Sequence, residues 1–184
     1  MMEQEQYRAL FNSMHPGFFE RDYIRPIPPQ NVYEEMILPL ESFDAAAFHL
    51  PVPEGTSFGF YNGELEPLLA EIGRVSANWP QYFNAERRIY CGYFQGKIAS
   101  FCLMEDMGVH RLGDRQVKVG GPGCVGTLPE FRRRGIGLKM VCDVTELLQK
   151  EGYDLSYIHY TGVAPWYAKL GYRTVLRWNS RGLL

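Results

Sequence analysis

The pattern of apolar and polar positions changes character about a third of the way along the chain. Up to about residue 50, HPGFFERDYIRPIPPQNVYEEMILPL mixes aromatic residues and prolines with no sustained period, and Pro26, Pro28 and Pro29 exclude a helix through their part of it. Residues 1–50 are therefore expected to form an irregular N-terminal extension packed on the same domain, with a helix at its start and a short strand near Val32 to Leu38. From Thr56 the pattern is regular. TSFGFYNG predicts a strand and a turn, and ELEPLLAEIGRV sets Leu65, Leu68, Leu69 and Ile72 on one helical face. RRIYCGYFQGKIASFCLMED predicts two apolar strands joined by a tight QGK turn. VHRLGDRQVKVGGPGCVGT predicts a loop running into a strand that stops before Pro129. A helix follows from about Arg133 to Lys150, with Gly152 placed to end it and with Lys139/Asp143 and Glu146/Lys150 pairs on its wet face. DLSYIHYT predicts a strand, APWYAKL a short helix ended by Gly171, and YRTVLRW a last strand.

This order predicts an α/β fold with a mixed, mostly antiparallel sheet and helices on both faces. Its strand-helix-strand unit, from about Lys118 to Tyr160, must be parallel and right-handed. No internal repeat and no low-complexity tract interrupts it.

Composition narrows the function classes. With 184 residues, 46% of them hydrophobic, the chain can bury one sizeable core. A formal net charge of -2 gives no general attraction to nucleic acid or to an anionic membrane. No apolar run approaches the ~20 residues that span a bilayer, and MMEQEQYRAL lacks the basic and apolar regions of a signal peptide. A cytoplasmic protein is the default expectation. Cys91, Cys102, Cys124 and Cys142 form no C-x-x-C pair, which argues for buried, reduced thiols and no metal site.

Two glycine-rich stretches compete as phosphate sites. GPGCVG, Gly121 to Gly126, matches G-x-G-x-x-G, but a dinucleotide site needs that motif to open a helix, and Thr-Leu-Pro follows it instead. The second stretch, Arg132-Arg133-Arg134-Gly135-Ile136-Gly137, does open one. Three cations at a positive helix end are each unfavourable by roughly 0.3–1 kcal/mol. A bound diphosphate would make them complementary, and unpaired first-turn amides would supply donors. Solvated arginines at a merely basic helix start are the alternative.

With VGTLPEFRRRGIGLKM and the tail WYAKLGY, the chain from about Thr56 resembles the GNAT superfamily of acyl-CoA-dependent N-acyltransferases. The segment Val125 to Phe131 fits the family's strand end, Arg132 to Gly137 fit its R/Q-x-x-G-x-G/A signature, and Tyr167, Gly171 and Tyr172 fit Tyr-x-x-x-Gly-[FY]. The resemblance implies acetyl-CoA as co-substrate and no metal. It implies that Arg132, Arg133, Arg134, Gly135, Ile136, Gly137 and Leu138 surround the pyrophosphate, with amides from about Arg133 onward as donors. It also implies that Val125, Gly126 and Thr127 pair with the pantetheine arm, and that Tyr167 protonates the departing thiolate. Many members carry an asparagine where this chain has Tyr160, so that contact is missing or replaced.

The acceptor and the general base stay open. Glu105, Asp106 and His159 are candidate bases, and Trp79 and Tyr82 candidate walls of an acceptor pocket. An acidic rim with aromatic walls suits the primary amine of a small molecule rather than a nucleic acid or a folded protein. No cysteine is paired with a histidine for an acyl-enzyme route, so direct attack in a ternary complex is expected. The rival reading is a non-catalytic CoA-binding sensor or scaffold, against which Tyr167 argues. A homodimer stays open.

Overall fold

The computed structural model describes residues 2–184. In chain order its elements are α1 (Met2–Met14), β1 (Tyr33–Pro39), β2 (Thr56–Phe60), α2 (Leu65–Val75), β3 (Ile89–Phe94), β4 (Lys97–Leu112), β5 (Arg115–Thr127), α3 (Ile136–Lys150), β6 (Leu155–Thr161), α4 (Ala164–Tyr167), β7 (Arg173–Asn179) and β8 (Gly182–Leu183). Eight strands form one sheet in the order β2-β3-β4-β5-β6-β1-β7-β8. Neighbours are antiparallel except β5 and β6, which are parallel and joined through α3.

Alternation along the strands assigns the helices to faces. On β4, Cys102 and Met104 meet the α3 side chains Met140, Val141, Val144 and Leu148. Phe101 and Leu103 point the other way and meet Leu68 and Ile72 of α2. On β1, Met36 and Leu38 join the α3 side while Ile37 joins Leu10 and Phe11 of α1. Thus α1 and α2 share one face and α3 covers the other. Each large apolar side chain buried this way contributes roughly 1.5–3 kcal/mol.

The helix and the short strand expected within the first fifty residues are α1 and β1, and β1 lies inside the sheet, paired with β6 and β7. Two other expectations need correction. The loop expected around Val109 to Gln116 is instead the tip of a long hairpin in which β4 and β5 pair from Ser100↔Thr127 to Leu112↔Arg115. Polar residues such as His110, Arg111 and Gln116 mask those strands because the tip extends beyond the core. The main helix begins at Ile136 and not near Arg133. Gly135, at φ +79°, turns the chain left-handed just before it, so the three arginines precede the first turn.

Other local expectations hold. The QGK turn has Gln95 at φ +49° and Gly96 at φ +75°, the left-handed pair that suits a two-residue hairpin. Lys139 bonds Asp143, and Lys150 bonds Glu146 at 2.8 Å. Gly152, at φ +75°, follows α3 as a left-handed stop.

Candidate functional site

The parallel pair that anchors the site is short. Only Val119↔Leu155 and Gly120↔Ser156 pair between β5 and β6. At Gly121 the strands nearly touch, since a Cβ there would lie 2.0 Å from the Tyr157 carbonyl oxygen. Beyond it they part. β5 carries one extra residue against β4 between Gly123 and Gly126, and Cys124 there sits at φ +46°. Such a bulge bends a strand away from its ladder. The opening lies at the carboxyl ends of both strands, next to the start of α3.

There the backbone offers donors. The first intrahelical bond of α3 runs from the Lys139 amide to the Gly135 carbonyl at 3.0 Å, and the amides from Arg133 to Leu138 meet no acceptor among the described residues. Arg133 itself adopts φ +62°, a conformation that costs a non-glycine residue of order 1 kcal/mol or more and is kept where structure demands it. The arginine side chains are distributed around this loop. Arg132 Nε donates to the Thr127 carbonyl at 3.1 Å, and the Arg134 guanidinium stands over the rings of Phe94 and Phe131. Glu130 is engaged by Arg74 at 2.8 Å.

The two glycines have reasons of their own besides ligand access. A Cβ on Gly135 would lie 2.4 Å from the Pro51 carbonyl oxygen, and one on Gly137 would lie 2.5 Å from Thr127 Oγ1. Backbone packing and a left-handed φ demand Gly135, whereas at Gly137 the crowding atom is a side-chain hydroxyl.

The third wall comes from α4. Pro165 at its first turn starts the helix, and Gly171 at φ +90° ends the turn that follows. Tyr167 is buried, with Trp166 edge-on at 4.8 Å. Burial pushes its phenol above the ordinary value of 10, so the hydroxyl keeps its proton. Tyr172, in the same motif, plays another part: its hydroxyl bonds Thr145 Oγ1 at 2.8 Å and Ser156 Oγ at 2.7 Å deep in the core.

Together these elements enclose a cleft of about 410 Å³. Val125, Gly126, Thr127, Arg132, Arg133, Arg134, Gly135, Ile136, Gly137, Leu138 and Tyr167 all line it, with Val75, Phe131, Val163 and Trp166. GPGCVG lies wholly within β5 and opens no helix, which removes the dinucleotide alternative. Burial pushes the Cys124 thiol up to about 12, which leaves it protonated and a poor nucleophile.

The other candidates separate. Glu105 and Asp106 are neighbours on β4 and so project to opposite faces, which corrects the expectation of a joint acidic rim at a hairpin end. Asp106 Oδ1 accepts from the Gly108 amide at 2.8 Å. Glu105 packs over Gly123, where a Cβ would be 2.4 Å from its Oε2. Burial raises its carboxyl, against the pull of Arg87 at 3.8 Å. Trp79 packs edge-on to Phe101 at 6.4 Å as part of the α2 core, while Tyr82 is 44% exposed. Tyr160 does not line the cleft. It sits at φ +57° and packs against Tyr33 at 4.6 Å and Trp178 at 4.7 Å.

Sequence reasoning missed the group behind His159. Its Nδ1 lies 2.9 Å from Glu35 Oε2, and its ring stacks on His15 at 3.9 Å. These three residues lie 20 to 144 positions apart, and a glutamate in an apolar run was the only local signal. Their ligand atoms fall within 4.8 Å of one another. Yet two imidazoles only 17° from parallel cannot both aim an in-plane lone pair at one ion.

A family signature described as an acetyltransferase (GNAT) domain matches residues 46–175. No curated protein matches the chain. Solved structures share its fold. A fungal GCN5-related glucosamine N-acetyltransferase region, within a multi-domain GH3 β-N-acetylglucosaminidase, is 20% identical with a TM-score of 0.66, covering 80% of this chain and 20% of that one. A GCN5-related N-acetyltransferase from Kribbella flavida is 17% identical with a TM-score of 0.53, covering 86% of this chain and 60% of that one. One from Sphaerobacter thermophilus is 16% identical with a TM-score of 0.58, covering 83% and 51%. The chain thus spans a fifth to three fifths of the length of these structures.

Proposed function

This chain belongs to the GNAT acetyltransferase family, and we propose that it moves an acetyl group from acetyl-CoA to the primary amine of a small molecule by direct attack in a ternary complex. The observation that carries this reading is the run of amides from Arg133 to Leu138 with no protein acceptor, at the mouth of a cleft that ends at Tyr167. A diphosphate would satisfy those donors and gain from the helix dipole and the arginines around them. Val125 to Thr127, on the bent end of β5, would pair with the pantetheine arm, and an amide there would polarise the thioester carbonyl. Tyr167, its proton held by burial, would protonate the leaving thiolate.

The acceptor reading rests on the opposite side of the opening. Glu105 supplies a carboxylate, and the exposed ring of Tyr82 an aromatic surface, both suited to a small cation. Residues 51–184 would carry this chemistry, with the first fifty packed on the same domain. Among the described residues no helix is long and apolar enough to cross a membrane, and a cytoplasmic setting is part of the proposal. A screen of acyl-CoAs against amines, amino sugars and amino acids, following free thiol, tests it. Thiol release dependent on a small amine is expected. Tight acetyl-CoA binding with no turnover of any amine would leave the sensor or scaffold reading in its place.

A further inference from the structure

We propose that His159, oriented by the buried carboxylate of Glu35, is the group that takes the proton from the acceptor's ammonium. The proposal rests on the acetyltransferase reading of the cleft and names its base. Glu35 lies outside the part of the chain that the family signature matches.

Glu35 is an unusual choice for an interior strand. It is 0% exposed in the middle of the sheet, where a carboxylate is costly unless its oxygens are satisfied. The sheet satisfies them by distortion. Opposite Glu35, β6 carries one extra residue between Ile158 and Thr161, and β7 carries one between Thr174 and Leu176. The first bulge turns the Tyr160 amide out of the ladder, and it donates to Glu35 Oε1 at 3.2 Å. Trp178 Nε1 donates to the same oxygen at 2.6 Å. His159 Nδ1 stands 2.9 Å from the other oxygen. Bulges next to sites re-aim side chains.

The chemistry of the contact fixes the proton. A carboxylate can only accept, so His159 donates from Nδ1, and in the neutral ring the lone pair lies on Nε2. The side chain is 24% exposed while its carboxylate partner is fully buried. His15 stacks on it at 3.9 Å, and Phe18 meets it edge-on at 5.0 Å. Burial and the neighbouring His159 depress His15 to about 3, so it stays neutral beneath a ring that would gain charge. The surrounding titratable groups are Glu35, His15, Glu105, Tyr157 and Tyr160, with Arg21 and His110 beside His15. Glu105 shares this face. On β5 between the two walls, Gly121 lies against the Tyr157 carbonyl and Gly123 lies under the Glu105 carboxylate.

The step balances. The ammonium nitrogen gives one proton to Nε2 of His159, and its freed lone pair forms the C–N bond. The C–S bond breaks, and the thiolate takes the phenolic proton of Tyr167. The surplus proton on the new amide nitrogen restores Tyr167, and His159 releases its own proton to solvent.

Two variants of the full chain test the proposal, using an amine that releases thiol in the screen. His159→Gln is expected to lower kcat by roughly 10²–10⁴-fold, to remove the acid limb of the pH profile, and to leave the calorimetric affinity for acetyl-CoA unchanged. In Glu35→Gln the amide NH₂ faces Nδ1 and forces the proton onto Nε2. Ring-nitrogen NMR without substrate should therefore show His159 protonated on Nδ1 in the wild type and on Nε2 in the variant, with kcat reduced and the circular dichroism unchanged. Wild-type turnover with an intact acid limb in His159→Gln, or an Nε2–H tautomer in the wild type, would overturn the assignment. Failure of wild-type protein to bind acetyl-CoA would instead remove the reading beneath it.

Discussion

The two sides of the opening between β5 and β6 are built from different materials. On the α3 side the cleft offers mainly backbone: the amides from Arg133 to Leu138, the bent end of β5, and one tyrosine hydroxyl. On the α1 side the groups are side chains: Glu105 from β4, His159 from β6, Glu35 from β1 and His15 just beyond α1. A site made of backbone needs local chain geometry, so its residues are contiguous. A site made of side chains needs only that the sheet bring them together, and its members can come from anywhere in the chain.

The strongest way to break this contrast is to close the opening at its apex. Gly121→Ala would drive a Cβ against the Tyr157 carbonyl, a clash with backbone that cannot rotate away. Both sides should suffer together, with stability falling by about 3 kcal/mol or more, beyond the usual cost of overpacking. The denaturation midpoint checks it, and a wild-type midpoint would mean that β5 and β6 approach less closely.

The next substitutions compare two tyrosines of one motif. Tyr167→Phe is expected to lower the turnover number by roughly 10- to 1000-fold, with little change in acetyl-CoA affinity or melting temperature. Tyr172→Phe should do the reverse. It leaves Ser156 Oγ without its buried partner, while Thr145 Oγ1 keeps the Val141 carbonyl, costing about 1–2 kcal/mol of stability, and should barely alter turnover. Paired steady-state kinetics and chemical denaturation check both, and similar profiles for the two variants would erase the distinction between cleft and core.

These expectations follow how far the sequence could be read. The Arg132 to Gly137 stretch and the Tyr167-to-Tyr172 motif were legible because turn, glycine and helix start fall within a few residues of one another. Even there the reason for Gly135 and Gly137 was only half visible, since Pro51 and Thr127, which crowd them, belong to other segments. The succession of strands and helices after Thr56 was legible from periodicity, apart from the polar tip of the β4–β5 hairpin. β1 was legible as a strand but its place between β6 and β7 was not, because sheet order depends on contacts far apart in the chain. Asp106 was grouped with Glu105 because adjacency in sequence looked like adjacency in space, although strand neighbours point apart.

The smallest expected effect concerns the α1 side. Burial raises the Glu105 carboxyl above its ordinary 4.5, so folding favours its protonated form. The stability this lends is fully present below the ordinary value and is lost as pH rises through the raised native one. Glu105→Gln should therefore match the wild type near about pH 4 and become the more stable of the two toward about pH 7. Thermal melts across that range check the sign, and a wild type that gains on the variant as pH rises would show that Arg87, and not burial, governs the group.

The most direct test of the cleft itself is a titration of the ¹⁵N-labelled chain with CoA, watched at the backbone amides. The amides of Arg133 to Leu138 should move together and furthest, and pantetheine, which lacks the diphosphate, should leave them nearly unmoved. Binding of CoA with those amides still, or equal shifts from pantetheine, would contradict the account.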